Sequence, residues 1–142
     1  MDVAHLPAQD WWTALQTRYE HDDVQFFADA IDATPLPQDL FDSVVDNLLT
    51  NALRKRQSEP GIAVKARLTL HPLISLSVTD SGTPAPDHVA RNLFLSPVAS
   101  DFGLGVGLYQ AARQAARSGY RLELTDNQAG RVTFCLQATG NP

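Results

Sequence analysis

Two asparagines and an arginine lie at helical spacing in the segment DNLLTNALRKR, which covers residues 46–56. Asn47 and Asn51 are four residues apart and Arg54 follows three residues later, so a helix places them along one stripe. An amide oxygen is a suitable ligand for Mg²⁺ that keeps waters and phosphate oxygens, and a neighbouring cation would hold a phosphate. These residues alone leave a second interpretation open, which is an ordinary solvated helix face.

An aspartate follows an apolar alternating stretch in the segment VTDSG, residues 78–82. A carboxylate at the end of a strand, in a partly apolar pocket, can accept a hydrogen bond from an exocyclic amine such as that of adenine. Gly82 would allow a ligand to approach the backbone closely. Asp-Ser-Gly is also common turn chemistry, so a turn without a ligand is the alternative for Asp80.

Glycines alternate with apolar residues in the segment GLGVGL, residues 103–108, which precedes a predicted helix. Such glycines expose backbone N–H groups, and the N-terminus of a helix favours anions. The spacing differs from that of the dinucleotide-binding fingerprint, and the Gly-Lys-Ser/Thr of a P-loop does not follow. The segment predicts either an anion-facing loop or a flexible hinge.

Hydrophobic periodicity predicts the elements that carry these three segments. The predicted helices cover residues 10–20, 37 to about 56, 87–95 and 108–118, and the last one stops at Gly119. The predicted strands cover residues 24–29, 61–70, 73–79, 120–124 and 131–136, with a turn at Asp126-Asn127 between the last two. This order predicts an α+β fold with helices on one face of a mixed sheet.

The composition excludes several classes of protein. The 142 residues carry a net charge of −5 with a pI near 5.1, which is not the basic footprint of a nucleic-acid-binding domain. Cys135 is the only cysteine, so an intramolecular disulfide and a thiolate zinc site are excluded. No apolar run approaches the roughly 18 residues of a membrane span, and the N-terminus has no signal-peptide pattern. The sequence predicts one soluble acidic domain.

Taken in order, these motifs resemble the ATP-binding catalytic domain of sensor histidine kinases. That domain belongs to the superfamily of the heat-shock chaperone, the mismatch-repair ATPase and type II topoisomerases. DNLLTNALRKR corresponds to the asparagine box, VTDSG to the first glycine box, LFLSPVAS at 93–100 to the phenylalanine box, and GLGVGL to the second glycine box. The resemblance covers about residues 24–136 and implies the Bergerat fold, a two-layer sandwich of a mixed sheet with helices on one face.

The resemblance implies a role for each matching residue. Asn51 would coordinate the Mg²⁺ that bridges the ATP phosphates, Asn47 would line the same site, and Arg54 would contact a phosphate. Asp80 would bind the adenine amino group, and Gly82 would permit its close approach.

The lid residues follow from the same resemblance. Phe94 would anchor the lid, and Arg91 is a candidate lid cation. Lys55 stands beside the purine, where the family often has an aromatic residue, and Thr83-Pro84 stands where the first glycine box usually has its second glycine. The second glycine box would form the hinge and the phosphate-facing end of the lid, with the next helix starting behind it: Gly103, Leu104, Gly105, Val106, Gly107 and Leu108.

The implied reaction is phosphoryl transfer from Mg-ATP to a histidine. Asn47 occupies the position where hydrolytic members of the superfamily have a glutamate that activates water, and an amide cannot act as that base. The resemblance makes Asn47 and Arg54 the catalytic candidates. Two alternatives stay open, which are a non-catalytic nucleotide-binding module and a serine kinase of the anti-sigma-factor type. The four histidines lack the context of the family's phosphoacceptor box: His5, His21, His71 and His88.

The resemblance also implies partners and a setting. Residues 1–21 would lead from a dimerisation hairpin that this chain lacks, and residues 22–142 would form the kinase domain. The expected partners are the dimerisation and phosphoacceptor domain of the same parent and a downstream response regulator, with no nucleic acid. We expect this chain to be a monomer, as the cytoplasmic domain of an inner-membrane sensor.

Overall fold

A computed structural model describes residues 4–95 and 106–140 of the chain. Within them the helices are α1 (Ala8–Arg18), α2 (Gln38–Ser58), α3 (Asp87–Asn92) and α4 (Val106–Arg117). The strands are β1 (His5–Pro7), β2 (Val24–Asp29), β3 (Pro35–Pro37), β4 (Val64–Thr69), β5 (Ser75–Asp80), β6 (Tyr120–Gln128) and β7 (Arg131–Ala138).

Five of the strands form one mixed sheet in the order β2-β4-β5-β7-β6. β2 and β4 run parallel, and the remaining pairs are antiparallel. Because side chains alternate along a strand, one face carries the buried residues of the three central strands and the other carries mostly polar residues. The buried positions are Val64, Ala66, Leu68, Leu76, Val78, Asp80, Val132, Phe134 and Leu136. This confirms the predicted two-layer α+β sandwich.

The helix α2 supplies the largest part of the helical layer. Its buried residues recur at intervals of three or four and form one apolar stripe: Leu40, Phe41, Val44, Val45, Leu48, Leu49 and Ala52. Burying this stripe against the sheet fixes the rotation of the helix. The polar row that includes Asn51 and Lys55 therefore lies beside the ends of the central strands, and both residues face a cavity there.

The helix α1 shares this core. The ring of Trp11 packs edge-on against Phe41 with centroids 5.3 Å apart, and its Nε1 donates a 2.8 Å hydrogen bond to Asp42. Trp12 packs in the same manner on Phe26 of β2, at 5.6 Å. The assignment of residues 1–21 to a connection from another domain stays a prediction.

The predicted turn between the last two strands was wrong. The strands continue to Gln128 and from Arg131, so the turn lies at Ala129-Gly130 rather than at Asp126-Asn127. Gly130 has a φ of +86°, which glycine adopts without steric cost. Asp126 instead pairs with Arg131 in an ion pair of 2.5 Å.

Other element boundaries differ by a few residues. α4 begins at Val106 rather than at Leu108, and α2 extends to Ser58, with Pro37 at its N-cap rather than in its first turn. A short antiparallel pair, β1 with β3, was not predicted. Each of these strands has three residues with proline at one or both ends, which is too short for an alternating pattern.

Candidate functional site

A cavity of about 270 Å³ lies between the C-terminal half of α2 and the ends of β5 and β7. Its apolar lining consists of Leu48, Ala52, Val78, Pro84, Ala85, Val132 and Phe134. Its polar lining consists of Asn51, Arg54, Lys55, Ser58, Glu59, Asp80 and Thr83. Apolar walls with a few polar groups are typical of small-molecule sites.

Asp80 is the only buried polar or charged side chain among the described residues, with 6% of its surface exposed. It is the last residue of β5 and follows Leu76 and Val78 on the inner face, so strand alternation directs it into the domain. Its Oδ1 accepts a hydrogen bond of 2.9 Å from the N–H of Gly82. A buried carboxylate is costly unless it is paired, so its position at a cavity marks a candidate binding residue.

Lys55 is the partner of this carboxylate. Its Nζ lies 2.9 Å from Asp80 Oδ1, and it also donates to the carbonyl oxygen of Thr83. The Lys55 side chain is 20% exposed and the Asp80 side chain 8% exposed, so water screens this pair less than a surface pair. The site thus contains an ion pair rather than an isolated carboxylate.

Glu59, one helical turn after Lys55, holds the same segment. Its two carboxylate oxygens accept hydrogen bonds from the N–H of Thr83 at 3.0 Å and from the Thr83 hydroxyl at 2.7 Å. The hydroxyl bond is the largest influence that lowers the pKa of Glu59 below its usual value, and the N–H bond and the charge of Lys55 act in the same direction. Lys55 and Glu59 therefore attach the end of α2 to the segment after β5.

The β6–β7 hairpin holds that segment from the other side. Asn127 and the backbone of Ala85 exchange two hydrogen bonds of 2.9 Å, and the N–H of Gly130 donates to the carbonyl of Gly82 at 3.0 Å. A Cβ on Gly82 would lie 2.8 Å from Lys55 Cε and 3.0 Å from Glu59 Oε1. A side chain at position 82 would consequently disturb the contacts that shape the wall.

Asn47 lies one turn before Asn51 on α2 and contacts the beginning of α4. Its Nδ2 donates a 2.8 Å hydrogen bond to the carbonyl of Ser43. A Cβ added to Gly107 would lie 2.2 Å from Asn47 Oδ1, so only glycine fits there without a shift. The first turn of α4 therefore packs directly on the asparagine segment.

The structure brings four of the sequence-predicted residues to one cavity, namely Asn51, Arg54, Lys55 and Asp80. Gly82 adjoins it, whereas Asn47 and Gly107 pack against each other and are not among its lining residues. Leu108 is 1% exposed in the core, so a ligand contact from it would have to use its backbone.

The remaining predicted positions are described only in part. Gly103, Leu104 and Gly105 lie outside the described residues, as do positions 96–100 of the phenylalanine box. Of Val106, only its place as the first residue of α4 is described. Phe94 packs edge-on against the cavity residue Phe134, with centroids 6.4 Å apart.

Sequence reasoning missed the role of Glu59 and of residues 83–85 in shaping the wall. Lys55 and Glu59 are four residues apart, which places them on one side of a helix, and this spacing was the available signal. Phe134 and Val132 alternate along β7, so both face the cavity with Val78. The hydrogen bond that Thr83 donates to Glu59 joins residues 24 positions apart, and hydrophobic periodicity does not detect such a contact.

The described side chains at the cavity could give a magnesium ion one ligand rather than a complete set. Within residues 4–95 and 106–140 there is no cluster of three His, Cys, Asp or Glu side chains that could hold a metal ion. Asn51 offers a side-chain amide oxygen at the cavity. One such ligand suits Mg²⁺ that takes its other ligands from phosphate and water.

The similarity of the chain to known ATPases identifies its family. The family model "Histidine kinase-, DNA gyrase B-, and HSP90-like ATPase" matches residues 37–140, and the chain belongs to this family of ATP-binding domains. No curated protein matches the chain at a significant level.

Similar folds occur among solved structures. One nucleotide-free form of the catalytic domain of histidine kinase ThkA has a TM-score of 0.78 at 19% identity, with 100% of each chain covered. Another form has a TM-score of 0.72 at 18% identity and covers 97% of this chain and 95% of that one. Among the helices that the structure describes, none has the length and apolar character needed to cross a membrane.

Proposed function

We propose that this chain is the ATP-binding catalytic domain of a two-component sensor histidine kinase. It transfers the γ-phosphoryl group of Mg-ATP to a histidine on a separate dimerisation domain, from which a response regulator receives it. The observation that carries this proposal is the buried carboxylate of Asp80 at the wall of a partly apolar cavity that Asn51 and Arg54 of α2 also line.

The base of ATP would occupy the apolar part of the cavity. Ala52, Val78 and Phe134 offer surfaces for the faces of a purine ring. The amino group of adenine would donate to Asp80, whose described hydrogen bonds both go to Oδ1, so Oδ2 is the acceptor for the base. This bond would contribute specificity, because a base without an amino donor would leave Oδ2 of Asp80 without a partner.

The phosphates would lie along α2 towards the first turn of α4. Asn51 and Arg54 line this part of the cavity, and the guanidinium of Arg54 supplies positive charge for a phosphate. A Mg²⁺ ion held by Asn51 would neutralise phosphate charge when bound. The N-terminal N–H groups of α4 add a favourable field for an anion.

The chain supports transfer to a protein better than hydrolysis. Asn47 stands next to Gly107, and its amide cannot accept a proton from water at neutral pH. In the proposed reaction an imidazole nitrogen forms a bond to the γ-phosphorus, the bond from that phosphorus to the β–γ bridging oxygen breaks, and ADP leaves. The imidazole proton passes to solvent. The domain contributes positioning and charge neutralisation.

The test is phosphoryl transfer from γ-labelled ATP in the presence of Mg²⁺ to the dimerisation domain of the parent protein. We expect acid-labile phosphate on that domain, and its loss with Asp80→Asn. Acid-stable phosphate on a partner would support a serine kinase instead. Nucleotide binding without any transfer would contradict the catalytic proposal and leave a nucleotide-binding module.

A further inference from the structure

We infer that Glu59 and Asn127 are positioning residues, which hold the segment 82–85 in place so that this wall of the nucleotide site is formed before a ligand binds. The inference rests on the proposed nucleotide site and adds two residues that lie outside its sequence motifs. Its evidence is the set of hydrogen bonds that fixes the backbone of this segment from the end of α2 on one side and from β6 on the other.

The N–H groups of the segment 82–85 are satisfied by side chains, although the segment contains neither helix nor strand. Pro84 has no N–H group and a restricted φ. The other three N–H groups donate to carboxylate or amide oxygens, in the pairs Gly82 to Asp80 at 2.9 Å, Thr83 to Glu59 at 3.0 Å and Ala85 to Asn127 at 2.9 Å. The acceptors at the end of α2 and on β6 thus fix the segment from two elements that are distant in sequence.

The carbonyl groups of the segment are held as well. Three of them accept hydrogen bonds, in the pairs Gly82 from the N–H of Gly130 at 3.0 Å, Thr83 from the ammonium group of Lys55, and Ala85 from Asn127 Nδ2 at 2.9 Å. The amide of Asn127 therefore both donates to and accepts from Ala85. Because backbone that bonds to protein rather than to water opens less readily, the segment is fixed although it is a loop.

The segment contributes directly to the wall of the cavity, since Thr83, Pro84 and Ala85 all line it. Asn127 is not among the described lining residues, so its influence on a ligand must pass through Ala85. A displaced segment would withdraw the apolar surfaces of Pro84 and Ala85 and would open that side of the cavity to water. Nucleotide affinity should therefore depend on the fraction of molecules in which the segment is in place.

Glu59 also lines the cavity, and its charge allows two roles to be separated. A carboxylate repels an anionic nucleotide, so loss of the charge alone would strengthen binding. Loss of the two hydrogen bonds to Thr83 would instead release the segment and weaken binding. Glutamine removes the charge and keeps both bonds, because its oxygen can accept from the N–H of Thr83 and its amide can donate to the Thr83 hydroxyl. Alanine removes the charge and the bonds together.

The experiment measures the Kd of ADP by calorimetry on the full chain. Glu59→Ala and Asn127→Ala are each expected to raise this Kd about tenfold, which corresponds to a segment that is in place in about a tenth of the molecules. Glu59→Gln should bind ADP as tightly as the unchanged protein, or more tightly. Glu123→Ala, at an exposed position of β6, is the matched control for Glu59→Ala and should leave the Kd unchanged.

Hydrogen exchange of the ligand-free chain, followed by NMR, tests whether the wall is formed in advance. The N–H groups of Thr83 and Ala85 should exchange at least about tenfold more slowly than those of an unstructured peptide, because both are bonded to side chains. Asn127→Ala should remove this protection at Ala85. Exchange as fast as in an unstructured peptide in the unchanged chain would overturn the inference.

The binding data separate the inference from the proposed function. If the unchanged chain binds ADP and either alanine variant binds it equally well, the inference is wrong and the proposed function stands. Equal weakening by Glu59→Gln and Glu59→Ala would also overturn the inference, because the hydrogen bonds would then not be the cause. A chain that does not bind ADP would overturn the proposed function and the inference with it. Thr83→Val removes only the hydroxyl donor and should also raise the Kd, and it replaces Glu59→Ala if that variant does not fold.

Discussion

At the scale of the residue, the site depends on side chains that α2 and the end of β5 bring to one cavity. Asn51, Arg54 and Lys55 lie within one turn of α2, and Asp80 faces them from the sheet. Asp80 is buried and its described partners use one oxygen, which leaves the other for a ligand. Each of these residues therefore has a separable role that substitution can test.

We expect Mg²⁺ to strengthen ATP binding by the unchanged protein. Asn51→Ala should reduce this gain in affinity by about tenfold or more, because it removes the amide oxygen assigned to the ion. Binding of ATP in the presence of a chelator should change little. Calorimetry with and without Mg²⁺ measures the difference, and Thr50→Ala, at an exposed neighbouring position on α2, is the control. An Asn51→Ala protein with the normal magnesium dependence would exclude Asn51 as the ligand.

Gly107→Ala is expected to destabilise the fold by about 1–3 kcal/mol, since the new methyl would lie 2.2 Å from Asn47 Oδ1. In an Asn47→Ala background the same change should be neutral or stabilising, because the obstructing atom is gone and alanine favours a helix over glycine. Urea unfolding of the four proteins gives the coupling free energy. Additive changes in the free energy of unfolding would show that Asn47 and Gly107 are not in contact.

At the scale of the element, packing of helices on one sheet face creates the cavity. α2 presents its apolar stripe to the sheet, and its polar row then faces the cavity beside Asp80. The segment 82–85 is held by Lys55 and Glu59 of α2 on one side and by Asn127 of β6 on the other. The wall of the site is thus built from three elements distant in sequence.

The helix α1 supports this layer through Trp11, which is 2% exposed. Trp11→Ala should lower the free energy of unfolding by about 3–5 kcal/mol, because it leaves a cavity beside Phe41 and removes the hydrogen bond to Asp42. Thr13→Ala on the exposed side of α1 should cost about 0.5 kcal/mol or less. Equal stabilities of the two variants in urea would show that α1 does not belong to the core.

The helices and strands that could be predicted from the sequence are those with a long hydrophobic pattern. The stripe on α2 and the apolar pattern of β4 and β5 correctly indicated a helix and two strands. The turn at Ala129-Gly130 was missed because Asp126 and Asn127 resemble turn residues, although their side chains form tertiary contacts. β1 and β3 pair with each other across about 30 residues of the chain, and a strand of three residues is too short to show an alternating hydrophobic pattern.

The candidate site was predictable to a similar extent. Asn51, Arg54 and Asp80 could be selected because their types and order carry chemistry. The pairing of Lys55 with Asp80, and of Glu59 with Thr83, depends on distances across the fold that local spacing does not contain.

At the scale of the whole molecule, stability in acid depends on links between distant loops. Asp32 lies after β2, and its carboxylate accepts hydrogen bonds from His71 at 2.9 Å and from the hydroxyl and N–H of Thr34. The bond from His71 is the largest influence that lowers the pKa of Asp32 from 3.8 to about 2. Because the pKa is lowered in the folded state, these bonds stabilise the fold above about pH 3.8 and lose this effect as the pH falls towards 2.

Asp32→Asn should therefore be less stable than the unchanged protein at pH 5, and the difference should disappear near pH 2. Urea unfolding at both pH values measures it. A difference of the same size at both would mean that the ionised carboxylate is not the stabilising group.

The central claim is that Asp80 binds the base of ATP in this cavity, and nucleotide binding by Asp80→Asn tests it most directly. Calorimetry with ATP and Mg²⁺ would be run on the unchanged chain, on Asp80→Asn, and on Asp87→Asn as an exposed control in α3. A hydrogen bond to a charged group corresponds to about a 10- to 100-fold change in affinity. We expect a loss of that size for Asp80→Asn alone; equal affinities of all three proteins, or no binding by the unchanged chain, would contradict the account.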